Sequence, residues 1–174
     1  FDSLLATAFV EPDTAYGLIA EAVELAEDRS WVRFRLNPAA RWHDGTAITP
    51  EDVVFTFKTL MTKGHPNFRL LYSDVSGVKK LSEREVEFRI SNTENRKLPL
   101  LLGGLQIVSK AYYTANEFNK TTLTPPLGSG PYRVKKVEPG RAVTYARVEE
   151  YWAKDLPVNI GRHNFNEMRW DYYR

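Results

Sequence analysis

The run Ile48-Thr49-Pro50-Glu51-Asp52-Val53 dictates where a helix begins, and the rest of the chain has to pack around that helix. Thr49 is a good N-cap, and Pro50 suits the first helical position. Glu51 and Asp52 place negative charge at the positive end of the helix dipole. Asp52 stands where a capping box has its acidic partner, and Ile48 and Val53 occupy the two ends of a hydrophobic staple. Val53, Val54, Phe57, Leu60 and Met61 then recur on one face, which predicts a helix from about Pro50 to Met61. Gly64-His65-Pro66 ends it. Asp44-Gly45, just upstream, is a turn dipeptide.

The flanking segments read mainly as strands. From Trp31 to Leu36, Val32, Phe34 and Leu36 face one side while Arg33 and Arg35 face the other, until Asn37-Pro38 stops the strand. Two hairpins follow: Val75–Leu81 with Glu85–Ile90, and Tyr132–Val137 with Ala142–Val148. Between them lie a short helical patch at Leu98–Leu102, the pair Gly103-Gly104, and a helix-like segment near Lys110–Phe118. Met168, Trp170 and Tyr172 alternate as in a final strand within a tail, Tyr151–Arg174, rich in aromatics, Asn and Arg. The first thirty residues are ambiguous. Leu18, Ile19, Ala22, Val23 and Ala26 have partial helical spacing, yet Glu21–Leu25 also reads as a strand. Hairpins and helices mix without regular βαβ alternation, so the expected class is α+β.

Composition excludes several functions. With 24 basic and 22 acidic residues, the net charge of +2 gives no argument for nucleic acid or an anionic membrane as partner. There is no cysteine, hence no disulfide, thiolate metal site or cysteine nucleophile. That fits an oxidising compartment. No apolar run approaches the ~18 residues of a membrane span. The chain starts at Phe1 without a methionine, so it is expected to be part of a longer protein whose signal peptide lies outside it.

Catalytic and metal motifs are also missing. His43, His65 and His163 match no zinc spacing. His43 beside Asp44 reads as a structural histidine near the capped helix, since neighbours on a turn point apart. Gly128-Ser129-Gly130-Pro131 fails the nucleophile-elbow pattern because Leu127 occupies the first glycine position. Neither it nor Gly103-Gly104 extends to a phosphate-binding loop. Both glycine groups read as tight turns or as places where backbone approaches a ligand closely. Asn119-Lys120-Thr121 matches a glycosylation sequon, a weak pattern. Most of the aromatics, 13% of the chain, belong in a core, with a minority free to line a cleft. No cofactor, metal ligand or catalytic residue is assigned.

Four segments together resemble the bacterial extracellular solute-binding proteins of family 5, the oligopeptide/dipeptide-binding type serving ABC importers. They are Trp31-Val32-Arg33-Phe34-Arg35-Leu36-Asn37-Pro38, the run from Trp42 through Phe55, Gly128-Ser129-Gly130-Pro131-Tyr132-Arg133-Val134, and Tyr151-Trp152. Tyr16–Glu21, Thr121–Leu127 and Lys154–Asn159 are similar to the Yej-type subgroup, whose members import oligopeptides and peptide-like antibiotics such as microcin C. The chain departs from that subgroup at Gln106, where a proline usually follows the leucine.

The resemblance implies a class II periplasmic binding protein-like fold. In it, this chain would be part of lobe one of a two-lobed, hinged protein. Residues 1–30 and about 125–174 would belong to the central sheet, and about 31–124 to the family's extra subdomain. The implied role is extracytoplasmic, periplasmic peptide binding by a monomer that docks on inner-membrane ABC permease subunits, with no bond made or broken. The ligand-facing residues it suggests are Phe1, Asp2, Ser3, Gly104, Leu105, Gln106, Gly128, Ser129 and Gly130. Two other readings stay open: a serine hydrolase using Ser129 or the His43-Asp44 pair, and an interaction or chaperone-like module working through sheet edges and aromatics.

Overall fold

The computed structural model describes residues 1–8, 11 and 13–173. Strands β1 (Leu5–Thr7) and β2 (Ala15–Gly17) form a short antiparallel pair. Next come β3 (Ala20–Leu25), β4 (Trp31–Leu36), α1 (Pro50–Lys63), α2 (Pro66–Leu71), β5 (Val75–Lys80) and β6 (Glu85–Ile90). Two short helices, α3 (Leu98–Gly103) and α4 (Lys110–Ala115), precede β7 (Tyr132–Glu138), β8 (Ala142–Arg147), a 3-10 turn at Pro157–Asn159, and β9 (Glu167–Asp171). The larger sheet has the order β3-β4-β6-β5 and the smaller one β7-β8-β9. Every pairing is antiparallel. The expected α+β class is what forms.

The main core lies between α1 and the larger sheet. Val32, Phe34 and Leu36 from β4 and Val86, Phe88 and Ile90 from β6 are buried on one face, as the alternation requires. Phe57 of α1 meets Phe88 at 5.4 Å, and Phe34 meets Phe88 edge to face at 5.9 Å. The opposite face of the sheet is ionic. Glu87 is only 3% exposed, yet it accepts from Arg33 at 2.9 Å and has Lys79 and Arg89 within 3.4 Å. Burial pushes its carboxyl upward, but the surrounding cations outweigh that and hold it below the ordinary glutamate value.

Asp52 fastens α1 at its start. Its Oδ2 accepts from the Thr49 backbone N–H and from the Thr49 hydroxyl, both at 2.9 Å. Its Oδ1 accepts from the Lys110 N–H at 2.8 Å, so one carboxylate caps α1 and also anchors the start of α4. One turn on, the Thr56 hydroxyl donates to the Asp52 carbonyl at 2.7 Å and accepts from the Val108 N–H at 3.0 Å. These bonds explain why Thr56 is fully buried while Val54, Leu60 and Met61 are only partly covered. The buried face of α1 is rotated from the one hydrophobicity alone predicts.

Three other features resolve or depart from the sequence reading. The partial helical spacing from Leu18 to Ala26 yields strand β3, because its backbone pairs with β4. Gly64-His65-Pro66 ends α1 and also starts α2, with His65 Nδ1 accepting from the Asn67 N–H at 3.2 Å. Met168 and Trp170 lie in β9, whereas Tyr172 follows it. Arg174, at the end of the aromatic tail, lies outside the described residues. Gly103 sits where α3 passes β1 so closely that a Cβ would lie 2.7 Å from Leu5 Cδ1. Among the described residues, no helix is long and apolar enough to cross a membrane.

Asp52→Ala removes the acceptor for three donors at a 5% exposed position. It is expected to cost about 2 kcal/mol or more of unfolding free energy, read as a lowered urea midpoint with an unchanged slope.

Candidate functional site

The nine ligand-facing residues suggested by the sequence come from three separate stretches, and the fold brings these stretches together. The segment Asp2–Leu4 lies between two others. On one side Ile19 and Ala20 donate to the carbonyls of Ser3 and Leu4. On the other, Ile107 donates to Asp2, Leu4 donates to Leu105, and Ser3 bridges Gln106. The glycine loop closes against the same segment, where the Asp2 N–H donates to Ser129 Oγ at 2.9 Å.

Asp2 organises this junction. Its carboxylate accepts from the Tyr151 hydroxyl through Oδ1 and from the Trp152 indole N–H through Oδ2, each at 3.0 Å. The residue is 5% exposed, and both donors are neutral. Burial is the dominant influence and raises the carboxyl to about 6, although both hydrogen bonds pull it down. Tyr151 is pushed well above the ordinary phenol range, first by burial and then by the Asp2 charge. Its proton therefore stays on the phenol and is donated to Asp2.

His43 holds the glycine loop from the other side. Its N–H donates to the Gly128 carbonyl at 2.8 Å, and its ring Nε2 lies 2.7 Å from the Gly130 carbonyl. The carbonyl can only accept, so Nε2 carries the hydrogen. Burial, the largest influence, lowers the tendency of this ring to protonate. Gly128 fits closely here, since a Cβ would lie 3.0 Å from His43 Cε1 and the ring would have to give by a few tenths of an ångström. His43, Tyr151, Trp152 and Ile107 complete the junction, and none was among the expected site residues. The first three lie within segments that carry the family resemblance. No sequence signal marks Ile107, which contributes through its backbone.

The nine residues divide by exposure. Phe1 is 43% exposed, Gly104 and Gln106 are exposed, and Ser3 and Gly128 are half-buried. Asp2, Leu105, Ser129 and Gly130 are buried, so Asp2 and Ser129 offer a ligand no side-chain surface in this structure. Both are occupied in joining the segments. Phe1 and Gly128 open onto a groove of about 800 Å³ whose walls include Tyr112, Tyr132, Tyr145 and Arg133. Gly104 and Gln106 do not line it.

The residues weighed for catalysis have other partners. Ser129 Oγ accepts from the backbone at Asp2. Asp44 accepts from the N–H and hydroxyl of Thr46 at 2.9 and 2.6 Å. Among the described residues, no group of three or more His, Cys, Asp or Glu is placed to hold a metal ion.

The raised Asp2 value has a measurable sign. The folded carboxyl titrates at about 6, against 3.8 for the free group. Its contribution to stability is therefore fully present below pH ~4 and is lost as pH rises through about 6. Relative to Asp2→Asn, the native chain should gain about 2 kcal/mol between pH 7 and pH 4. Urea unfolding of both proteins across that range checks it, and parallel pH profiles would rule out a titrating Asp2.

The profile of the bacterial extracellular solute-binding proteins, family 5, matches residues 14–173. The uncharacterized protein YejA of Escherichia coli K12 is 42% identical over 173 residues, covering 99% of this chain and 28% of YejA. The probable peptide-binding protein YejA of Agrobacterium fabrum is 36% identical over 180 residues, covering 99% of this chain and 29% of that protein. Among solved structures, the binding protein AgaA of A. tumefaciens R10, in complex with agropinic acid, superposes with a TM-score of 0.81 at 24% identity. That match covers 98% of this chain and 33% of AgaA. The chain thus spans under a third of the length of these relatives, and it belongs to the bacterial extracellular solute-binding proteins of family 5.

Proposed function

We propose that this chain forms part of lobe one of an extracytoplasmic protein that binds peptides and delivers them to an ABC importer. The observation that carries the reading is the convergence, in a chain of family 5, of the N-terminal segment, the Leu105 segment and the glycine loop beside an aromatic-walled groove. The name of the A. fabrum relative, probable peptide-binding protein, supports the ligand class. Its YejA name and that of the E. coli relative support the Yej-type subgroup.

In this reading Phe1, Ser3, Gly104, Gln106 and Gly128 contact ligand, while Asp2, Leu105, Ser129 and Gly130 hold them in place. The 1–30 and 125–174 stretches form the central-sheet part of the lobe, with 31–124 as the extra subdomain. β3 and β4 pair within one sheet, so in this division that sheet spans the first boundary. A peptide held by main-chain hydrogen bonds would be bound with little regard to its side chains. A second lobe would close over it, because only the closed state satisfies both sets of contacts. The closed monomer would then dock on the permease from the periplasmic side.

A single lobe gives an incomplete site, so this chain alone is expected to bind peptides weakly. Titration calorimetry on the chain and on the full-length protein tests this. Submicromolar affinity of the chain alone would contradict the half-site. In the full-length protein, Phe1→Ala or Gln106→Ala should weaken peptide binding about tenfold without lowering the melting temperature. Unchanged affinity in both variants would remove these residues from the contact surface.

A further inference from the structure

A second concavity, of about 330 Å³, lies where the end of β8, the 3-10 turn and the loop before β9 meet. Arg147, Lys154, Arg162 and His163 line it, and Glu149 is the carboxylate on its wall. Four cationic or protonatable groups thus converge on one small space. Lys154 has only a long contact of 3.8 Å with the exposed Glu150. Among the described residues, Arg147 and Arg162 have no carboxylate within ion-pair distance. By contrast, the cations around Glu87 and the Lys80–Glu51 pair at 2.7 Å are closely neutralised.

The cleft is also held in shape. Arg147 donates through one guanidinium nitrogen to Asn166 Oδ1 at 2.7 Å and through another to the His163 carbonyl at 3.5 Å, which aims its fork. The His163 ring packs edge-on between Tyr132 at 6.0 Å and Tyr151 at 6.4 Å. Its backbone φ is +58°, a left-handed conformation that costs a β-carbon residue energy and is kept where surroundings enforce it. The floor is Tyr151 and the buried Asn159, whose amide donates to the Ala153 carbonyl at 2.9 Å. Arginine forks with a histidine on a fixed floor suit the planar or tetrahedral oxygens of an anion.

We propose that this cleft binds a small oxyanion, a carboxylate or phosphoryl group, between the Arg147 and Arg162 guanidiniums and the His163 ring. The site is independent of the peptide reading, since none of the nine residues of that site lines it. An anion seated here would oppose the two influences that disfavour His163 protonation, burial and then the Arg162 charge.

The experiment is an NMR titration of the three histidines in the full-length protein, with His163 assigned through His163→Asn. Inorganic phosphate and acetate are added separately at constant ionic strength, with chloride as the balancing ion. The expected result is a saturable rise of about one unit in the His163 pKa with at least one of them, while His43 and His65 stay put. A stronger response to phosphate assigns a phosphoryl ligand, and a stronger response to acetate assigns a carboxylate. Arg162→Gln and Arg147→Gln should each weaken the midpoint about tenfold, whereas Lys58→Gln, far along α1, should not. Arg162 is exposed in a turn, so its variant is expected to remain folded, which an unchanged melting temperature verifies. No saturable shift, or equal shifts in native and Arg162→Gln protein, would overturn the proposal.

Discussion

The junction around Asp2 rests on a buried carboxylate that, among the described residues, has no Lys, Arg or His side chain in ion-pair contact. Two neutral donors, the Tyr151 phenol and the Trp152 indole, carry its charge. Its own amide reaches Ser129 and its carbonyl receives Ile107. One residue thus ties together four stretches distant in sequence: the start of the chain, the segment after α3, the glycine loop and the turn after β8. Hydrogen bonds to a buried charge are directional and costly to lose, so they fix relative positions more tightly than apolar packing does. The geometry of the groove follows from that placement.

A second buried carboxylate, Asp52, works differently. It joins a helix start to a neighbouring helix start through backbone donors, where the dipoles favour negative charge. Glu87, the third, is surrounded by cations on the polar face of the larger sheet. The chain therefore buries acidic groups under three kinds of compensation: neutral donors, helix ends and ion pairs. The first raises the carboxyl to about 6 while the third holds Glu87 below its ordinary value, so the two junctions respond to pH in opposite directions.

Much of the architecture was legible because it depends on short-range rules. The Thr49-Pro50 cap, the alternation in Trp31–Leu36 and the polar turns between β5 and β6 and between β7 and β8 each act within a few residues. What escaped was decided at long range. The β3 segment carries an apolar spacing compatible with a helix, and its pairing with β4 settles the matter. The orientation of α1 is set by Thr56 bonding to Val108, a contact no periodicity encodes. For the site, the resemblance named three stretches that the fold brings together. It could not separate the residues that face outward from those, such as Asp2 and Ser129, that the fold uses internally, since that distinction depends on Tyr151, Trp152 and the backbone around them.

The fit of Gly128 against the His43 ring carries an evolutionary consequence. The imidazole occupies the volume a side chain at 128 would need, and its Nε2 satisfies the carbonyl two residues on. A change at either position is felt at the other. A larger residue at 128 would push on the ring and strain its bond to the Gly130 carbonyl, while a smaller residue at 43 would leave a void and that carbonyl without its donor. Across homologous chains the two sites should behave as a single inherited unit, exchanged together or not at all, so the turn before α1 and the glycine loop form one structural character rather than two.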